Sequence, residues 1–88
     1  MNEKWLKCVV GEGMFSDELV VTVAPKLRSG SDPTSVFVPK EMVRRDEVQR
    51  DQGLLRVLAF LRGTTWWAIL PTEYQMTIPV SEVDLVSA

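Results

Sequence analysis

The most constraining feature of the sequence is an apolar hairpin in its second half. The runs "LLRVLAFLR" (54–62) and "TWWAIL" (65–70) flank Gly63-Thr64, and a glycine-containing dipeptide between two such runs predicts a tight β-hairpin. Both runs carry apolar side chains at consecutive positions, whereas an antiparallel sheet with one solvated face alternates apolar and polar residues. The hairpin therefore predicts a sheet that is apolar on both faces.

The adjacent tryptophans Trp66 and Trp67 make the same point, because neighbouring residues of a strand point to opposite faces. Burial of one large side chain contributes about 1.5–3 kcal/mol. Leaving Trp67, Phe60 and one leucine in water would forgo much of the roughly 5–10 kcal/mol that stabilises a small domain. Two arrangements avoid this: the first 50 residues fold over the second face, or another chain covers it.

Size and charge exclude several classes of protein. The chain has 88 residues and a net charge of −2, which predicts a single domain spanning 1–88 with no electrostatic attraction to phosphate backbones or anionic lipid. Cys8 is the only cysteine, so no internal disulfide forms and a reducing compartment is expected. The N-terminal residues lack an apolar signal core, and no apolar run approaches the roughly 18 residues of a membrane span. We expect a cytoplasmic, soluble protein without membrane contact.

The remaining segments predict further short strands. β-Branched and apolar residues mark strands at 4–10, 18–24, 35–38 and 75–80, with a turn and a last strand at 81–86. Prolines, glycines and serines mark 25–34 as a loop. The segment 40–53 leaves two possibilities open: a helix, or a single turn followed by a charged loop.

Two segments 40 residues apart share a pattern. "VFVPKEMV" (36–43) and "MTIPVSEV" (76–83) each run strand, proline, three residues, valine. Proline removes an amide donor and fixes φ, so each strand must end and turn there. Because the spacing occurs once, we interpret the pattern as one local turn device used twice and not as a repeat architecture.

The last third of the chain contains Trp66-Trp67 and Ala68, followed by Ile78-Pro79 and Val83, and in this it resembles the second half of a Src-homology-type (SH3-like) small barrel. The resemblance implies an all-β fold: a small SH3-like barrel or β-roll of five to seven strands, with room for one short helix near 40–50. In that family the first tryptophan and the proline line a polyproline groove, and Trp66 and Pro79 occupy the matching positions.

The sequence offers little chemistry of the catalytic kind. It has no histidine, which removes the commonest general base and metal ligand. Cys8 lies between Leu6 and Val10 on one face of a predicted strand, the setting of an inert core thiol. We therefore expect no enzyme activity, no cofactor and no metal site.

These patterns predict a non-enzymatic module that binds another protein through an aromatic patch, with the candidate residues Trp66, Trp67, Phe60, Tyr74 and Pro79. One alternative is a homodimeric structural or accessory protein that uses the same surface against itself. A second alternative is a nucleic-acid-binding small barrel, which the acidic net charge disfavours; its candidate residues are Lys26, Arg28, Lys40, Arg44 and Arg45.

Overall fold

A computed structural model describes residues 1–24 and 33–88, so Lys26, Arg28 and most of the predicted loop 25–34 lie outside the described residues. The described chain is all-β, which confirms the predicted fold class. Its strands are β1 (Asn2–Glu12), β2 (Glu18–Val23), β3 (Thr34–Pro39), β4 (Val43–Arg45), β5 (Gln52–Arg62), β6 (Thr65–Ile69), β7 (Thr77–Val80) and β8 (Leu85–Ser87). Across these described ranges, no helix has the length and apolar character needed to cross a membrane.

The strands form one antiparallel sheet with the order β3-β2-β1-β5-β6-β7, and the short strands β4 and β8 pair with β5 and β1. Each long strand changes partner along one edge. β1 pairs with β5 on one edge and with β8 and then β2 on the other, while β5 pairs with β4 and then β6. This change of partner lets the sheet curl into a half-barrel, so the predicted small barrel-like architecture is confirmed at that level.

The sheet has eight strands, whereas the sequence predicted five to seven, and the difference lies in the segment 40–53. A single 3-10 turn (Lys40–Met42) leads into β4, and no short helix forms near 40–50. Val43 pairs across the ladder with Leu55. The charged loop that follows is closed by Asp46, whose carboxylate accepts backbone N–H bonds from Gln49 and Val48 at 2.7 and 2.8 Å. These bonds lower the pKa of Asp46.

The two halves of the chain have the same architecture in the same register. Each half consists of a long strand, two further strands, a 3-10 turn and a three-residue strand. Val43 pairs with Leu55 in one half, and its counterpart Leu85 pairs with Leu6 in the other. Leu6 and Leu55 also pair with each other, at the centre of a pseudo-two-fold arrangement. The interpretation that the chain has no repeat architecture was therefore wrong, but the two prolines are not equivalent within the repeat. Pro39 is the last residue of β3, whereas Pro79 lies inside β7, where it pairs with Trp67 at the position that Phe37 has in the first half.

The core lies on the inner side of the curl and is shared by both halves. Alternate residues of the strands point inward, and those in the middle of the strands are buried. Counterpart positions carry apolar side chains in both halves: Leu6 and Leu55, Cys8 and Val57, Val10 and Ala59, Val21 and Ala68, Val36 and Ile78, Val38 and Val80. Burial raises the pKa of the Cys8 thiol to about 11, so the thiol keeps its proton at neutral pH, as expected of a core cysteine.

The repeat predicts that the chain tolerates circular permutation at the loop 46–51, which corresponds to the gap between the two chain ends. Ser87 pairs with Lys4 just as Arg45 pairs with Gly53, so a short Gly/Ser linker can join Ala88 to Met1. A permutant opened between Gln49 and Arg50 keeps every ladder, and its free energy of unfolding should stay within about 2 kcal/mol of the parent. Urea denaturation measures this.

The matched control is a permutant opened between Gly63 and Thr64, where the cut separates the directly paired strands β5 and β6. It should lose more stability than the first permutant, because a tight two-residue turn becomes a pair of free ends. If both permutants lost the same stability, the loop 46–51 would not be equivalent to the gap between the chain ends, and the equivalence of the halves would be contradicted.

Candidate interaction face

Three of the predicted site residues form one row across the outer side of the sheet. Phe60 on β5 pairs with Trp67 on β6, and Trp67 pairs with Pro79 on β7. The register follows from the hairpin at Gly63, whose φ of +63° is the left-handed conformation that glycine adopts without strain. All three side chains are half-buried, and none belongs to the core cluster. We call Phe60, Trp67 and Pro79 the aromatic row.

The apolar surface continues beyond the row toward the middle of the sheet. Leu58 pairs with Ile69 on the same outer side, and Leu58 is 41% exposed. A cleft of about 390 Å³ opens beside these two residues, and Arg56 and Pro71 contribute to its walls. We call the aromatic row together with Leu58 and Ile69 the outer patch.

The equivalent surface of the first half is built differently. The counterparts of Phe60, Trp67 and Pro79 are Gly11, Val20 and Phe37, which pair in the same way across β1, β2 and β3. A Cβ at Gly11 would lie 3.0 Å from the Val20 side chain, so Gly11 and Val20 pack closely here, and the one aromatic ring of this row is that of Phe37. The same backbone therefore forms without a tryptophan in the row, and the fold does not require the aromatic row.

The structure does not bring the other two aromatic candidates into the row. Trp66 faces inward and packs against the core, with the Lys4 ammonium 5.5 Å from its ring centroid. Tyr74 lies in the loop between β6 and β7 and is 89% exposed. A polyproline groove of the kind that the Src-homology resemblance implies needs Trp66 and Pro79 together, whereas the ladder places them on opposite faces of the sheet.

The cationic candidates for nucleic-acid binding are not gathered into one site among the described residues. Lys40 lies in the first 3-10 turn. Arg44 and Arg45 are neighbours on β4 and point to opposite faces. Arg45 donates a hydrogen bond to Glu12 at 2.9 Å, and this bond lowers the pKa of Glu12, while Arg44 lies over the ring of Trp5 at 4.7 Å.

Charge on the outer side of the sheet is a feature that the sequence analysis missed. Four cationic side chains lie there: Lys7, Arg44, Arg56 and Arg62. The acidic side chains at outward positions of the described strands are Glu3 on β1 and Glu18 on β2. The outward strand positions are thus net positive in a chain whose net charge is −2. The signal was present in the alternation of β5, where positions 56, 58, 60 and 62 share one face and read Arg, Leu, Phe, Arg.

Comparison with known proteins adds no assignment to this geometry. No family model matches the sequence, and comparison with curated proteins and with solved structures finds no significant relative. The Src-homology resemblance therefore rests on the residues named above, and the function is argued from the outer patch itself.

Proposed function

We propose that the protein is a non-enzymatic interaction module that binds another protein through its outer patch. The observation that carries the proposal is the aromatic row: two aromatic rings and a proline lie side by side outside the core, at positions where the other half has Gly11, Val20 and Phe37. Tryptophan and phenylalanine bring a large contact area at little conformational cost. Covering them removes apolar surface from water, at about 25 cal/mol per Å².

The surroundings of the patch fit the usual anatomy of a protein interface. Such interfaces have an apolar centre that excludes water and a polar rim that stays partly hydrated. Thr65 and Thr77 lie beside the aromatic row on β6 and β7, and Arg56 and Arg62 lie beyond Leu58 and Phe60 on β5. The patch therefore has the composition of an interface centre, with the threonines and arginines as its rim.

The proposal is tested with Trp67→Glu and its counterpart Val20→Glu. Each places one new carboxylate at the same position of the sheet, in the second and in the first half. Proteins captured from a cell extract by the immobilised chain are identified, purified and recombined with it, and affinity is measured by calorimetry. The parent and Val20→Glu should bind with 1:1 stoichiometry, and Trp67→Glu should weaken binding by at least about 30-fold, as expected for a central aromatic anchor.

Two results would contradict the proposal. One is that no reconstituted complex depends on Trp67. The other is that light scattering of the parent alone shows a dimer of twice 10.0 kDa that Trp67→Glu dissociates, because the patch would then be covered by a second copy of the chain. Circular dichroism of both variants verifies that the sheet is intact.

A further inference from the structure

We infer that the partner segment that covers the outer patch is acidic as well as apolar, with carboxylates at the two ends of a short apolar stretch. This inference rests on the proposed function and adds the chemistry of the partner. It follows from where the structure places cations relative to the apolar surface.

Two arginines bracket the patch along β5. Arg56 and Arg62 share the outer side with Leu58 and Phe60, in the order Arg-x-Leu-x-Phe-x-Arg. Six residue steps along the strand separate the two arginines by about 20 Å. An extended segment of seven residues has the same length, so its complement is acidic-x-apolar-x-apolar-x-acidic, with all four named side chains on one face.

One of these guanidinium groups lies on the apolar surface itself, because Arg62 is 5.9 Å from the ring centroid of Phe60. Elsewhere on the outer side, Arg44 is placed in the same way, 4.7 Å from the ring centroid of Trp5. An aromatic ring below a guanidinium holds the charge in place and excludes water from one side. A carboxylate arriving with the apolar side chains of a partner then pairs with a partly desolvated cation, which makes the hydrogen bonds stronger than in bulk water.

The protein already holds one carboxylate on this surface. Glu3 accepts a hydrogen bond from Arg56 at 2.7 Å and lies directly across the ladder from Leu58. This pair shows the geometry in which a carboxylate sits beside an apolar residue of the patch. Within residues 1–24 and 33–88, Arg62 has no ion pair, so it is available to a partner carboxylate at one end of the patch. At the other end, a partner carboxylate shares Arg56 with Glu3.

The same surface disfavours a second copy of the chain and a nucleic acid as occupants. A second copy laid patch to patch brings Arg56 and Arg62 of one molecule against the same residues of the other, which is repulsive. A nucleic-acid backbone satisfies the arginines but leaves Trp67, Ile69 and Pro79 without apolar partners. An acidic and apolar polypeptide satisfies both kinds of surface.

The test uses capped seven-residue peptides and the full chain, followed by NMR at the indole N–H of Trp67. The probe is Glu-Thr-Leu-Thr-Phe-Thr-Glu. Its controls carry glutamine or lysine in place of both glutamates, or the same residues in the order Leu-Thr-Glu-Thr-Glu-Thr-Phe. At about 20 mM salt the probe should bind at least about tenfold tighter than every control. The advantage over the glutamine peptide should shrink at about 500 mM salt, where exposed charges are screened.

Two variants of the protein show which arginine is responsible for the preference for the glutamate peptide. Arg62→Gln should weaken the glutamate probe about fivefold and leave the glutamine peptide unchanged. Arg50→Gln, which removes an exposed arginine from the loop 46–51, should change neither.

Equal binding of the glutamate and glutamine peptides, or no binding of either, would overturn the inference. The proposed function would still stand if protein complexes depend on Trp67. Tighter binding of a 15-residue oligothymidylate than of the probe would overturn the inference in favour of nucleic acid.

Discussion

Replacing Leu55 by alanine is expected to lower the free energy of unfolding by about 3 kcal/mol. Leu55 is fully buried and joins β5 to two neighbouring strands, because it pairs with Leu6 on β1 and with Val43 on β4. Leucine-to-alanine changes at such sites remove transfer free energy and leave a cavity, with losses of about 2–5 kcal/mol. For 88 residues this is a large part of the total stability. Urea denaturation at 25 °C measures the change.

The repeat supplies two matched variants for this prediction. Leu6→Ala, at the counterpart position, should cost about as much as Leu55→Ala. Leu58→Ala removes a leucine from the same strand, but from the outer side, and should cost less than about 1 kcal/mol, since its side chain is already 41% exposed. Similar losses for Leu55→Ala and Leu58→Ala would mean that the inner and outer sides have been assigned wrongly.

The hairpin was the most predictable part of the fold because its information is local. Gly63-Thr64 defines the turn, the turn defines the register, and the register pairs Phe60 with Trp67. The two-sided apolar pattern left open whether the second side would be covered by the first half of the chain, and in the structure Phe60, Trp67 and Pro79 lie outside the core cluster. None of these steps depends on residues far away in the chain.

The repeat was not predictable in the same way, because it is a property of long-range pairing. Most buried counterpart positions share apolar character and not identity: Cys8 corresponds to Val57, and Val10 to Ala59. The outward positions differ freely, as Gly11 and Phe60 show. A pattern held by buried positions alone becomes visible only once the ladders show which residues are equivalent.

The candidate site was predicted in part for a related reason. The sequence identified the large apolar residues but not which side of the sheet each one faces. Alternation from Trp67 places Trp66 inside, and the pairing of Trp67 with Pro79 then assigns the row. The cationic rim was missed because a search for apolar residues along 54–62 passes over Arg56 and Arg62, although they share the face of Leu58 and Phe60.

Replacing Gly53 by alanine should destabilise the protein by about 1–3 kcal/mol, although alanine is ordinarily preferred to glycine within a strand. Gly53 lies between β1 and β4, paired with Cys8 and Arg45. A Cβ there would be 2.7 Å from the Val10 side chain and 3.1 Å from the Arg44 carbonyl oxygen. Neither neighbour moves easily, because Val10 is buried and the carbonyl belongs to a paired strand.

A double-mutant cycle with Val10→Ala shows whether that contact causes the loss. Removing the valine methyl groups relieves the closest overlap, so Gly53→Ala should cost about 1 kcal/mol less in the Val10→Ala background than in the parent. Gly63→Ala is the control: a Cβ there meets nothing within 4 Å, and its φ is +63°. Its cost of about 1 kcal/mol arises from backbone conformation alone and should be the same in both backgrounds. A cost for Gly53→Ala that is also independent of Val10 would show that the contact with the Val10 side chain does not cause the loss of stability.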